Sequence, residues 1–354
     1  MARIDELFRY LKNKNGSDLH LLATRPPRVR IHGRLTDVEG WGPLSDEELR
    51  ELLHEISSEQ QWREYEATGD VDFAWALPGE ARFRVNFLRQ HHGAGAIFRI
   101  IPEKILTFDE LDIPESIREL AHLERGLVLI TGPTGSGKST TLAAIINEIN
   151  EQYRKHIVTI EDPVEFVHQN KLSVLSQREV SQDATSFAEA LKATIRQDAD
   201  VILVGEMRDT ETIELAITAA EMGTLVFGTL HTNSATKTID RLIDAFPASR
   251  QNQVRNTLAE SICAIVSQQL LPTADGRGRC AAYEILLRTN SLPNIIREGN
   301  TTMLASVIQG GVNDGMCAMD DSLAALVGKG TITAAAAMAK AKDKSRFGGQ
   351  PSRE

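Results

Sequence analysis

At 354 residues the chain is long for one compact core, so two domains are the default. Hydrophobic content of 42% and charged content of 25% are ordinary globular values, while a net charge of −10 disfavours a non-specific grip on nucleic acid or anionic lipid. Three cysteines, Cys263, Cys280 and Cys317, are too few and too scattered for a disulfide frame or a zinc ribbon, which leaves free thiols in a reducing cytoplasm.

The chain opens with acids, Asp5 and Glu6, where a signal peptide would carry its apolar core. No uncharged apolar run approaches the ~18 residues needed to span a bilayer, so any membrane association is expected to go through a partner. Residues 4–13 have the spacing of a short amphipathic helix. Arg28-Val29-Arg30-Ile31-His32, then Gly33-Arg34-Leu35, gives a hairpin signal. Residues 45–66 carry helical spacing behind Ser45 with Glu48 three residues on, a capping box. A β section follows: Val71, Phe73 and Trp75 alternate, Leu77-Pro78-Gly79-Glu80 turns, and Arg82-Phe83-Arg84-Val85-Asn86-Phe87 returns, closing at residues 96–100. Residues 1–102 therefore read as a small α+β domain. Pro102 and Pro114 bracket residues 103–114, which suits a linker.

From about residue 115 strands alternate with helices, which predicts a parallel sheet. The strands fall at 126–131, 156–161, 201–205 and 224–230, and the helices near 138–152, 186–197, 210–222 and 234–246. Residues 166–181 interrupt with a β-like excursion. Long helical patterns at 248–271 and 291–328 give a helical C-terminal portion, and the tail from 334 is expected to fray.

The most specific stretch is Gly132-Pro133-Thr134-Gly135-Ser136-Gly137-Lys138-Ser139-Thr140, between an apolar strand and a helix. It reads G-x-x-x-x-G-K-[ST]: glycines let backbone N–H groups converge on phosphate, and the helix start adds its dipole. Lys138 would meet the β- and γ-phosphates of ATP, and the Ser139 hydroxyl would meet Mg²⁺. Three further strands end in polar residues: Ile160 leads to Glu161-Asp162-Pro163-Val164-Glu165, Val204-Gly205 to Glu206, and Leu230 to His231-Thr232-Asn233. In an open parallel sheet such ends share one edge, the ligand edge. Gly205 stands where many nucleotidases place an aspartate. Mg²⁺ is then held largely by Ser139, phosphates and water, with Glu206 acting through a water.

Phosphoryl transfer also needs positive charge on the γ-oxygens. Phe83, Val85 and Phe87 face one way, so Arg82 and Arg84 share the other face, with Arg89 and Arg99 nearby. They serve as arginine fingers or as an ordinary solvated strand face. Arg196 and Arg208 are weaker candidates.

Residues 132–140, 161–165, 200–209 and 228–233 resemble the Walker A, Asp box, Walker B and His box of the type II/IV secretion ATPases. Ser17-Asp18-Leu19-His20-Leu21 and residues 82–86 and 93–99 resemble that family's N-terminal domain. Within the family the chain is most similar to the retraction ATPases of type IV pili. It starts directly at the Ser-Asp-Leu-His-Leu domain, and only residues 273–281, with one cysteine, stand where assembly and export members carry a four-cysteine zinc insertion. Asn294-Ile295-Ile296-Arg297-Glu298 resembles the later half of the retraction motif A-I-R-N-L-I-R-E, with Pro293 in place of its first arginine.

The resemblance implies an α/β fold, with a RecA-like P-loop domain over residues 115–345 behind a PAS-like domain over 1–102, and a disordered tail at 346–354. It implies a homo-hexameric ring that hydrolyses Mg-ATP to drive pilus retraction and twitching motility. Nucleotide would lie between the two domains, with Glu165 and Glu206 preparing the attacking water, His231 sensing the γ-phosphate, and Arg82, Arg84 and Arg99 reaching the phosphates. The implied partner is the inner-membrane platform protein at the pilus base, with the pilin filament served indirectly. The place is the cytoplasm, peripheral to the inner membrane, with no nucleic acid and no insertion into the bilayer. Alternatives are an assembly or secretion ATPase of the same family, disfavoured by the missing zinc insertion, a nucleic-acid translocase, disfavoured by the charge, and a regulatory subunit with little catalysis.

Overall fold

The computed structural model describes residues 3–31, 33–101 and 104–348. The chain divides into two compact units, the first running to Lys104 and including Asp162–Val167, the second formed by Ile105–Glu161 and the chain from His168 onward.

In the first unit the chain runs α1 (Asp5–Asn13), β1 (Asp18–Leu22), β2 (Arg28–Ile31), β3 (Arg34–Asp37), α2 (Asp46–His54), α3 (Glu59–Thr68), β4 (Asp70–Leu77), β5 (Ala81–Gln90) and β6 (Gly93–Ile101). The six strands form one sheet in the order β3-β2-β1-β6-β5-β4, antiparallel at every pairing. The period-two pattern of β5 sends Phe83, Val85 and Phe87 into the core, where the Phe8 ring stacks on Phe83 at 4.4 Å. The helix expected over 45–66 is two helices. Ser58 restarts the chain with its own capping box, its hydroxyl accepting from the Gln61 N–H while Gln61 accepts from the Ser58 N–H. Serine bonding of this kind competes with continuous helix, so the second box divides the segment.

The second unit holds α4 (Glu115–Arg118), β7 (Gly126–Thr131), α5 (Lys138–Gln152), β8 (His156–Glu161), β9 (Val174–Glu179), α6 (Phe187–Thr194), β10 (Val201–Val204), α7 (Thr210–Glu221), β11 (Leu225–Leu230), α8 (Ala235–Asp244) and α9 (Ala248–Ser261). It continues through β12 (Ile262–Pro272), β13 (Arg279–Leu287), α10 (Leu292–Glu298), α11 (Leu304–Gly310), α12 (Met319–Gly328) and α13 (Ala334–Lys340). Its seven strands lie in the order β13-β12-β7-β11-β10-β8-β9, parallel except for β13. This is the expected α/β class, a RecA-like sheet with helices around it. Strands β7, β10 and β11 are buried along their whole length, as strands covered on both faces must be. The register pairs Ile160 with Val204, Val204 with Gly228 and Leu230 with Thr131, so these four strands end at one edge.

Three expectations need correction. The helix over 248–271 stops at Ser261, and residues 262–272 form β12, because the run Ile262-Cys263-Ala264-Ile265-Val266 is buried strand-wise beside β7. The helix over 291–328 is broken at Gly299, Gly311 and Gly315 into α10, α11 and α12. The tail does not fray at 334: α13 and a 3-10 turn at Lys344–Phe347 pack Ala337, Ala341 and Phe347 against Leu271, Ala282 and Leu323. The remainder of the tail, 349–354, lies outside the described residues.

Candidate active site

Strand β7 ends at Thr131, and the chain turns through Gly132, Gly135 and Gly137 at φ of 149°, 76° and 88° before Lys138 opens α5. These glycines are sterically required as well as conformationally favoured. A Cβ on Gly132 would run into the Gln268 carbonyl oxygen, and one on Gly137 would sit 2.8 Å from the Gln268 amide nitrogen. Pro133, Thr134, Gly135 and Ser139 are exposed and Thr140 is half-buried, so the tip of the loop is open. Ser136 is 2% exposed, and its hydroxyl has no hydrogen-bond partner among the described residues. An orphaned buried hydroxyl in a glycine cradle at a helix start fits a phosphate oxygen.

Lys138 is buried, and its ammonium donates to the carbonyls of Gly132 at 2.8 Å and Pro133 at 3.2 Å. It also lies 3.5 Å from His231 Nδ1. On its other side, His231 Nε2 is 3.0 Å from a Glu206 carboxylate oxygen. A neutral imidazole donating from Nε2 to Glu206 leaves Nδ1 free to accept from Lys138, so one tautomer satisfies both contacts. The strand ends that deliver β10 and β11 are tied together, the Met207 N–H donating to the Thr229 carbonyl at 3.0 Å and the Thr229 hydroxyl to the Gly205 carbonyl at 2.5 Å.

Partial burial pushes the Glu206 carboxyl up, but the hydrogen bonds and charge of Arg208, with the His231 contact, outweigh it and hold Glu206 below the usual carboxylate range. Arg208 donates to Glu206 Oε2 at 2.6 Å. Glu206 is therefore an ionised, half-buried carboxylate on the imidazole that touches the P-loop lysine. Among the described residues no group of three or more His, Cys, Asp and Glu side chains forms a metal site.

The loop residues, Glu206 and His231 all belong to the second unit, whereas Glu165, Arg82, Arg84 and Arg99 belong to the first. Strand β8 itself ends in Glu161, whose carboxylate accepts from Thr159 at 2.7 Å and Gln177 at 3.2 Å. Within the first unit, Arg84 and Arg99 face each other across β5 and β6. Arg99 donates to the buried Asp18 carboxylate at 2.9 Å, and Arg30 lies 3.7 Å from the same group. Burial pushes the Asp18 carboxyl up, but bonds from Ser17 and Arg99 prevail and keep it low. Arg89 donates to the Glu66 carbonyl at 3.0 Å and lies over the Tyr65 ring, and of the weaker candidates Arg208 meets Glu206.

The sequence reading missed β12. Gln268 is 2% exposed and accepts from the Thr141 hydroxyl at 2.9 Å, and the Ser267 hydroxyl lies 2.8 Å from that of Thr131. On the neighbouring β13, burial drives the Tyr283 phenol up to about 12. The signal was available: Ile265-Val266-Ser267-Gln268 repeats the apolar-then-polar step of β10 and β11.

Comparison with known proteins agrees with this geometry. The type II/IV secretion system protein family model matches residues 55–307. The chain is 47% identical to the "Type IV pilus retractation ATPase PilT" of Pseudomonas aeruginosa, over 97% of this chain and 99% of that one. It is 50% identical to a twitching motility protein of Neisseria gonorrhoeae, over 91% and 86%. The crystal structure of the pilus retraction motor PilT with bound ADP superposes with a TM-score of 0.90 at 42% identity, covering 98% of this chain and 99% of that one. A family model over most of the chain and relatives alike along nearly its whole length place this protein within the type II/IV secretion system protein family.

Proposed function

We propose that the chain is an ATPase motor that powers type IV pilus retraction. The observation that carries the reading is the contact chain Lys138–His231–Glu206 at the mouth of a phosphate-binding loop. In the ATP-bound state Lys138 exchanges loop carbonyls for the β- and γ-phosphates, and the amides of the loop hold the rest of the phosphate chain. Mg²⁺, when bound with the nucleotide, would be held by the exposed Ser139 hydroxyl, with Glu206 near enough to act through a water, and would supply charge to the phosphates. Glu206, ionised and half-buried, orients the attacking water and shares that task with Glu165. His231 touches both the lysine and the base, so loss of the γ-phosphate is registered at both.

Arg82, Arg84 and Arg99 supply positive charge from the first unit to the transferring group, and Asp18 orients Arg99. Closure around the triphosphate and opening after its loss is the mechanical stroke. Likeness to the retraction and twitching proteins supports a homo-hexameric ring, on the cytoplasmic side of the inner membrane, docked on the platform protein of the pilus base and acting on the pilin filament indirectly. No described helix is long and apolar enough to cross a membrane, so docking through a partner is the reading that fits.

The test is deletion in the native host, scored for pilus number and surface motility. Excess pili without motility is the expected result. Loss of pili would assign assembly instead.

A further inference from the structure

The loop that carries His231 is held from a second side. Directly after it, α8 begins, and the N–H of its first residue, Ala235, donates to Glu284 Oε1 at 2.8 Å. Glu284 lies on β13 and is 3% exposed, so this is a buried carboxylate at a helix start, where the dipole favours it. Its second oxygen accepts from the Lys342 ammonium at 2.7 Å, and Lys342 comes from the chain just after α13. The backbone there is clamped as well: the N–H groups of Lys342 and Asp343 donate to the two oxygens of the buried Asp320 at 2.9 and 2.8 Å. On the loop side, Thr232 and Thr238 share a 2.7 Å hydroxyl bond, and Thr238 donates to the Ser234 carbonyl at 2.8 Å. A polar path thus runs from the C-terminal segment to Thr232, the residue that follows His231.

We propose that this segment is a latch: Lys342, acting through Glu284, positions the His231 loop for turnover. The ammonium gives a buried carboxylate its ionic partner, and so holds Glu284 in place against the start of α8. Lys342 and Glu284 are positioning residues. They touch no P-loop group, so releasing the latch misaligns the sensor without emptying the phosphate cradle. The proposal rests on the role given to His231 above.

Steady-state Mg-ATP hydrolysis and thermal midpoints of the full chain test it, with Lys342→Met, Lys342→Arg, Glu284→Gln, Asp320→Asn and His231→Ala. Lys342→Met is expected to lower kcat about three- to tenfold with KM within about twofold, the size of effects transmitted through packed networks. Lys342→Arg should restore kcat, and Lys342→Met added to Glu284→Gln should cost nothing further. Should Lys342→Met not fold, Asp320→Asn, which loosens the backbone clamp and leaves both charges of the pair in place, is expected to give the same kcat loss. A lowered midpoint with unchanged kcat and KM overturns the latch and leaves Lys342 a stabilising residue. An impaired His231→Ala enzyme beside a normal Lys342→Met enzyme refutes the latch alone, whereas a normal His231→Ala enzyme refutes the sensor reading and the latch with it.

Discussion

Gln268 offers a sharp test of the phosphate-loop geometry, because two substitutions separate its packing from its neutrality. Its Oε1 accepts from Thr141 at 2.9 Å, and its Nε2 faces the position a Gly137 side chain would occupy, 2.8 Å away. Gln268→Ala removes the acceptor and leaves a hole beside the loop. Loss of a buried partner costs about 1–3 kcal/mol, so unfolding stability should fall by about that much and nucleotide affinity with it. Gln268→Glu keeps the acceptor and the volume but sets a carboxylate against the phosphate cradle. Two like charges about 6 Å apart at an effective dielectric of about 20 repel by roughly 3 kcal/mol, or about a hundredfold in affinity. The assay is equilibrium binding of a fluorescent ATP analogue at pH 8 to 9, which favours the charged form, beside urea unfolding of the nucleotide-free protein. Gln268→Glu should bind about a hundredfold more weakly, and the buried charge should lower the unfolding stability as well. Binding within about threefold of the parent would refute the placement of Gln268 at the phosphate pocket.

Other outcomes follow from the same geometry. Lys138→Ala should abolish nucleotide binding, measured by the same titration, whereas Glu206→Gln should retain binding and lose about 10²- to 10⁴-fold in turnover, the range of a positioned base. Normal hydrolysis by Glu206→Gln would remove that carboxylate from the mechanism. Arg82→Ala with Arg84→Ala should slow turnover about 10³-fold if these arginines are fingers, and a loss confined to thermal stability would return them to a solvated strand face. Glu206 has its carboxyl held below its ordinary 4.5, so it is ionised above that pH, and the stability its ion pairs supply is complete there. That contribution is lost as pH falls through the lowered value. A kcat profile that fell between pH 7 and 5 because of Glu206 would contradict the Arg208 and His231 contacts.

The order of elements was legible because each carried a local signal that the fold left intact. The P-loop stands between a buried strand and a helix start, and the polar residue at the end of each parallel strand is brought to one edge by register alone. What misled was periodicity without length. Ile262-Cys263-Ala264-Ile265-Val266 continues a helix pattern until its burial on both faces beside β7 is known, and this concealed Gln268. The alanine-rich end looked free because its apolar residues are small, yet Ala337 and Ala341 fill space that Leu271 and Ala282 leave open. The latch carboxylate could not be read at all, since Glu284 and Lys342 are joined only by tertiary packing.

Gly205 shows how the sheet itself dictates where the acid stands. Its N–H donates to the Ile160 carbonyl at 2.8 Å, and a Cβ on Gly205 would lie 3.0 Å from that same oxygen and 3.3 Å from Glu161 Cα. An aspartate at this position would require the β8 backbone to give by a few tenths of an ångström beside a ladder hydrogen bond. With a side chain crowded there, the carboxylate that follows β10 is Glu206, one residue further out, where Arg208 and His231 reach it. Close β8–β10 packing therefore disfavours an acidic side chain at Gly205, and the acid that follows β10 stands at Glu206 instead.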